Sequence, residues 1–153
     1  ETVTSKPAFR AALKQRRCLI PANGFYEWFG KSGNKQPYFF HLPSGEPMAF
    51  AGLYEIWEDK EAPPEAGPYK SCTIITMDAS DSVKDIHDRM PLILKPEAYE
   101  GWLDPDNKGS AKIEELLRTK FVRDLKSHPV SKLVNRVENN SKECMEALKE
   151  SDD

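Results

Sequence analysis

The sequence predicts an α+β domain built on antiparallel β-meanders, on two observations. Strand-like apolar runs bounded by turn residues dominate the first half, and helix-compatible segments cluster later. No regular strand–helix–strand alternation, internal repeat or low-complexity segment runs through the 153 residues, so a parallel, doubly wound sheet is not expected.

The elements follow in order. Pro7 suits the first turn of a helix, and Phe9 and Leu13 share a face at i,i+4 spacing, so residues 7–15 are predicted helical. Cys18-Leu19-Ile20 reads as a strand, and Pro21-Ala22-Asn23-Gly24 turns the chain into Phe25-Tyr26-Glu27-Trp28-Phe29. Lys31-Ser32-Gly33-Asn34 makes a second turn before the strand Tyr38–Leu42, and Pro43-Ser44-Gly45-Glu46 leads into Met48–Tyr54. After a polar, Pro-rich loop at 58–68 comes the run Cys72–Met77. Short helices are expected from Pro96 to Leu103 and over 111–118. A last strand is expected over 130–137, and 142–153 reads as a charged tail with weak helical potential. The whole is expected to form one domain.

Composition narrows the function. With 39% hydrophobic and 31% charged residues the chain reads as an ordinary globular protein. No apolar run approaches the about 20 residues of a membrane span, so no membrane partner is expected. The net charge of −3 argues against a general electrostatic grip on nucleic acid. Any such contact needs a local patch, and Lys14-Gln15-Arg16-Arg17 with Arg10 is the best candidate, against a solvated helix end. Three widely spaced cysteines, Cys18, Cys72 and Cys144, support neither a disulfide framework nor a zinc site. Cys18 and Cys72 sit in apolar runs and are expected to be buried. No phosphate loop, nucleophile elbow or metal signature is present, so no cofactor or metal is expected.

Two residues stand out chemically. Alternation puts Phe25, Glu27 and Phe29 on one face of their strand, and Tyr26 and Trp28 on the other. A carboxylate among phenylalanines either pays desolvation, which favours its protonated form and suits general acid/base work, or lies on an edge strand in water. Both readings of Glu27 stay open. His87, in Asp85-Ile86-His87-Asp88-Arg89-Met90-Pro91, is expected on an irregular loop, because Pro91 disfavours helix at Met90. Flanked by acids and followed by Arg89, it is either a proton shuttle or a surface histidine. His41 and His128 read as structural or solvated.

Several blocks resemble one family. The run from Arg16 to Trp28 (RRCLIPANGFYEW), Lys35-Gln36-Pro37-Tyr38-Phe39, Ala51-Gly52-Leu53-Tyr54-Glu55, Thr73-Ile74-Ile75-Thr76, Ile86–Pro91 (IHDRMP) and His128-Pro129-Val130-Ser131 with Val134-Asn135 are similar, in order, to blocks of the SOS-response-associated peptidase (SRAP) domain. The resemblance implies a strongly coiled, barrel-like antiparallel core with flanking helices. It also implies protection of abasic sites in single-stranded DNA, near stalled replication forks, by a monomeric, cytoplasmic, nucleoid-associated bacterial protein. In such proteins an N-terminal cysteine forms a Schiff base with the abasic aldehyde, and its thiol closes a thiazolidine. By position, Glu27 matches the catalytic carboxylate and His87 the catalytic histidine. Thr76 matches a hydroxyl lining the same pocket, and Arg89 a residue near the DNA backbone. Tyr26 and Arg17 are further candidate DNA contacts. Glu1-Thr2 matches the end of an NARxET block, so the chain is expected to be truncated at its N-terminus, without the cysteine nucleophile. The alternatives are a non-catalytic single-stranded DNA-binding module that stacks bases on Tyr26 or Trp28, and a peptidase that trims its own N-terminus.

Overall fold

The computed structural model describes residues 3–61, 63, 67–108 and 110–149. Glu1-Thr2, parts of the expected loop at 58–68 and the end of the expected tail lie outside them. The fold is α+β with antiparallel sheets, none of which closes into a barrel among the described residues. It divides into two compact units. The first gathers the chain up to Pro21, Ala49–Met77 and Pro91–Val122; the second gathers Ala22–Met48, Asp78–Met90 and the chain from Arg123 on.

The first unit begins with α1 (Pro7–Gln15), the predicted helix, with Ala12 and Leu13 buried. Its sheet takes the order β1-β4-β5, from β1 (Arg17–Ala22), β4 (Met48–Trp57) and β5 (Tyr69–Ile74), with β8 (Ile93–Leu94) also on β4. Close packing explains Gly52 on β4: a Cβ there would lie 2.9 Å from Cys18 Sγ and 2.8 Å from Ile20 Cδ1. The core joins Ala12 and Leu13 to Ala51, Leu53, Leu92, Leu94 and Trp102. Trp102 belongs to α2 (Tyr99–Leu103), which continues a 3₁₀ turn at Pro96–Ala98, and α3 (Ser110–Thr119) follows. Both expected helices are therefore present.

Arg17 links these elements. Its guanidinium donates to the carbonyls of Trp102 (2.6 Å), Leu13 (2.6 Å), Lys14 (3.0 Å) and Asp104 (2.6 Å), and lies 5.7 Å from the centre of the Trp102 ring. Leu13 and Lys14 are carbonyls at the end of α1 that lack a helical partner, so the side chain satisfies acceptors that would otherwise be orphaned. Burial lowers the Arg17 pKa from its ordinary value, against the opposing pull of Asp104. Arg17 is 8% exposed. Its charge is held inside the unit by these four carbonyls and the Trp102 ring.

The run Cys72–Met77 is two strands, β5 and β6 (Thr76–Asp78), parted at the buried Ile75. Cys72 is exposed, against expectation, because β5 is an edge strand exposed at every position. Cys18 is half-buried, and burial raises its thiol pKa, with Cys72 a smaller cause.

The second unit holds a sheet of order β2-β3-β9, from β2 (Phe25–Phe29), β3 (Gln36–His41) and β9 (Lys126–Pro129). The antiparallel register sets Phe25 opposite Phe40, Glu27 opposite Tyr38, and Phe39 opposite His128. Aromatic rings fill the cross-strand positions: Phe25 stacks on Phe40 at 5.1 Å, and Tyr26 meets Phe39 at 5.2 Å. Gly24 is required at the entry to β2, since a Cβ there would lie 2.1 Å from the Phe40 carbonyl oxygen.

The chain after β9 differs from expectation. Instead of a strand over 130–137, Lys132–Asn135 is a 3₁₀ turn capped by the Ser131 hydroxyl, which accepts from the Leu133 N–H. The expected tail is held down through residue 148. Cys144 is buried, Val130 bridges Ala147, the Leu148 N–H donates to the Pro129 carbonyl, and His128 Nε2–H donates to the Met145 carbonyl at 2.8 Å. Its charges hid two apolar anchors, Cys144 and Met145. Among the described residues no helix is long and apolar enough to cross a membrane.

Candidate active site

The site is built in the second unit from β2 and the segment Asp78–Met90. β2 is an edge strand, yet the Glu27 side chain keeps only 22% of its exposure. Each of the two open readings therefore holds in part: the strand is at the edge, and the carboxylate is largely withdrawn from water.

His87 is placed by a folded loop. Successive turns run over 81–86, and the His87 N–H donates to the Val83 carbonyl at 3.0 Å. Val83 plugs the loop to the interior with no exposure. The loop's base is tied twice: Ala79 N–H donates to the Asp88 carbonyl, and Ser82 Oγ–H donates to the Arg123 carbonyl at 2.9 Å while accepting from Leu125 N–H. β7 (Arg89–Pro91) then begins.

The loop brings His87 Nδ1 to 3.8 Å from Glu27 Oε1 and 3.5 Å from Asp88 Oδ1. The Arg89 N–H donates to Nδ1 at 3.0 Å, and the Arg89 carbonyl lies at the same distance. The Arg89 N–H can donate to Nδ1 of one neutral tautomer, and the Arg89 carbonyl can accept from Nδ1–H of the other.

Burial raises the Glu27 carboxyl above its ordinary value; His87 opposes the rise, Asp88 reinforces it and Lys35 opposes it. A carboxyl whose protonated form is favoured by desolvation, set beside an imidazole, suits a group that both gives and takes protons. Lys35 was not foreseen as a charge acting on Glu27. The signal was present: the β2–β3 register pairs Phe29 with Gln36, so the hairpin returns Lys35 next to the end of β2.

Arg89 Nη1 donates to Asp78 Oδ1 at 2.5 Å, with the Arg89 side chain 34% exposed. Tyr26 lies on the face of β2 away from Glu27, half-buried between Phe39 and Trp28. Burial raises its phenol pKa, with Cys144 a smaller cause. Thr76 opens β6 in the first unit and is exposed. Arg10 is exposed on α1, and Arg16 pairs with Glu55 at 2.7 Å. No cluster of three potential metal ligands exists among the described residues.

The family model described as SOS response associated peptidase (SRAP) matches residues 1–137. The abasic site processing protein YoaM of Bacillus subtilis (strain 168) is 43% identical over 148 residues, covering 96% of this chain and 63% of that protein. The abasic site processing protein HMCES of Gallus gallus is 37% identical over 166 residues, covering 95% of this chain and 48% of that one. This chain thus spans less than two thirds of those relatives. A crystal structure of a protein from Bacteroides thetaiotaomicron superposes with a TM-score of 0.79 at 28% identity, over 96% of this chain and 63% of that one. By its family match, its relatives and its fold, the chain belongs to the SRAP family.

Proposed function

We propose that this chain carries the proton-moving half of an abasic-site crosslinking centre acting on single-stranded DNA. The observation that carries the reading is the half-buried Glu27 carboxyl 3.8 Å from the His87 imidazole. Relatives named abasic site processing proteins supply the substrate class.

In the intact protein the nucleophile is a cysteine at the mature N-terminus. Its amine adds to the ring-opened aldehyde of the abasic site, giving a carbinolamine. Glu27 delivers a proton to the departing hydroxyl, so that water leaves and the imine forms. The thiol then adds across the C=N bond, its sulfur to carbon and its proton to nitrogen, closing a thiazolidine with the overall loss of one water. His87 donates a proton to the deoxyribose ring oxygen as the C1–O ring bond breaks and the C1 hydroxyl gives up its proton to solvent, so the closed sugar opens to the aldehyde. Holding amine, thiol and sugar together makes ring closure effectively intramolecular. Arg89 steadies the DNA backbone beside the lesion.

The test uses a family-length protein with an exposed N-terminal cysteine and an oligonucleotide bearing one abasic site. Mass spectrometry is expected to find an adduct of protein plus oligonucleotide less one water, mapped to the N-terminal cysteine. An adduct on Cys18, Cys72 or Cys144, or none that survives denaturation, overturns the reading.

A further inference from the structure

The face of β2 away from Glu27 opens onto two cavities of about 570 and 420 Å³ that share Val134 as a common wall. Trp28, Lys35, Lys132 and Asn135 line the larger, and Tyr26, Asn140 and Lys142 the smaller. Neither cavity has a carboxylate in its lining, in a chain of net charge −3. Acids flank the lining residues on the same segment: Glu138 stands between Val137 and Asn139, and Glu143, hydrogen-bonded to Ser141, follows Lys142.

The rings and cations are held differently. Trp28 Nε1–H donates to Asn135 Oδ1 at 2.7 Å, and the Tyr26 ring centre lies 6.4 Å from that of Trp28. The aromatic floor is therefore fixed. Lys35, Lys132 and Lys142 are exposed and form no salt bridge among the described residues; Lys132 reaches only the Asn34 side-chain oxygen, at 3.0 Å. Fixed rings beside lysines such as Lys132 and Lys142 are the combination that tracks a single strand, with bases on the rings and phosphates on the lysines.

We propose that these two cavities form one groove that holds the single-stranded DNA next to the lesion, with Lys132 and Lys142 on its phosphates. The proposal rests on the abasic-DNA reading of the Glu27–His87 site. Because β2 is the edge of its sheet, a strand can pass from the Glu27 face round to the Tyr26–Trp28 face without crossing another β-strand.

The test is fluorescence anisotropy of the 153-residue chain with a lesion-free oligothymidylate across a salt series. The double variant Lys132→Glu, Lys142→Glu is expected to bind at least tenfold more weakly at low salt. Its plot of log affinity against log salt should flatten by about 1.4, at about 0.7 for each phosphate no longer neutralised on a single strand. Lys112→Glu, Lys120→Glu, an equal charge change on the exposed surface of the first unit, should have a much smaller effect. The groove is overturned if the first pair leaves affinity and slope unchanged, or if both pairs weaken binding equally. If the unmodified chain itself does not bind the oligonucleotide, the DNA reading of this chain falls, and the groove with it.

Discussion

Glu27 Oε1 and His87 Nδ1 lie 3.8 Å apart, though their residues stand far apart in the chain and on different kinds of element, an edge strand and a turned loop. The distance is that of a loose charge contact and is longer than a direct hydrogen bond. Burial on the Glu27 side makes the pair electrostatically costly as well as chemically useful.

That cost predicts a pH dependence of stability. The folded pKa of Glu27 is raised above its ordinary 4.5, so the folded state binds more protons there than the unfolded state. Stability from this group is fully present below pH 4.5 and falls as pH rises through the folded pKa. Glu27→Gln removes the penalty. Its midpoint of thermal unfolding is expected to exceed that of the parent at pH 7, with the gap closing below about pH 4. A gap that widens on acidification would contradict the assignment.

Arg17 gives the opposite kind of prediction. Replacing it by Ala leaves buried carbonyls of Leu13, Lys14, Trp102 and Asp104 without a donor and should cost about 2–4 kcal/mol in urea unfolding. Arg17→Lys should recover little of that, because one ammonium cannot span the fork of acceptors. A fully stable Arg17→Ala variant with weakened DNA binding would assign Arg17 to the DNA surface instead.

The Arg89–Asp78 pair predicts a gain. Asp78→Asn removes a carboxylate that pairs with the guanidinium and should tighten binding of single-stranded DNA at low salt, with a steeper salt dependence. Arg89→Ala should weaken it. If Asp78→Asn weakens binding as much as Arg89→Ala does, the pair serves to hold the loop and not to present a charge.

The sequence was legible where local pattern and packing agree. α1 was readable because Pro7, Phe9 and Leu13 satisfy helix entry and a buried face together. The alternation around Glu27 placed Tyr26 and Trp28 on the opposite face, as found. Legibility failed where tertiary context overrides composition. Cys72 lies in an apolar run on an exposed edge strand, and Cys144 anchors a segment that read as a charged tail with weak helical potential. Arg17 looked like surface charge because nothing local announces that Trp102 and Asp104 fold back onto it. His87 was placed on its loop by Pro91, but the 3.8 Å approach to Glu27 depends on packing across distant segments.

The central claim assigns different proton transfers to Glu27 and His87, and one rate comparison tests it. In a family-length protein with its N-terminal cysteine, crosslinking to an abasic oligonucleotide is timed for Glu27→Gln and His87→Ala, with DNA affinity measured separately. Glu27→Gln should slow the reaction about a hundredfold with affinity nearly unchanged. His87→Ala should be slow on the closed-ring sugar and recover on a substrate that already presents a free aldehyde, where Glu27→Gln recovers far less. Equal recovery of both variants, or of neither, would contradict this division of labour.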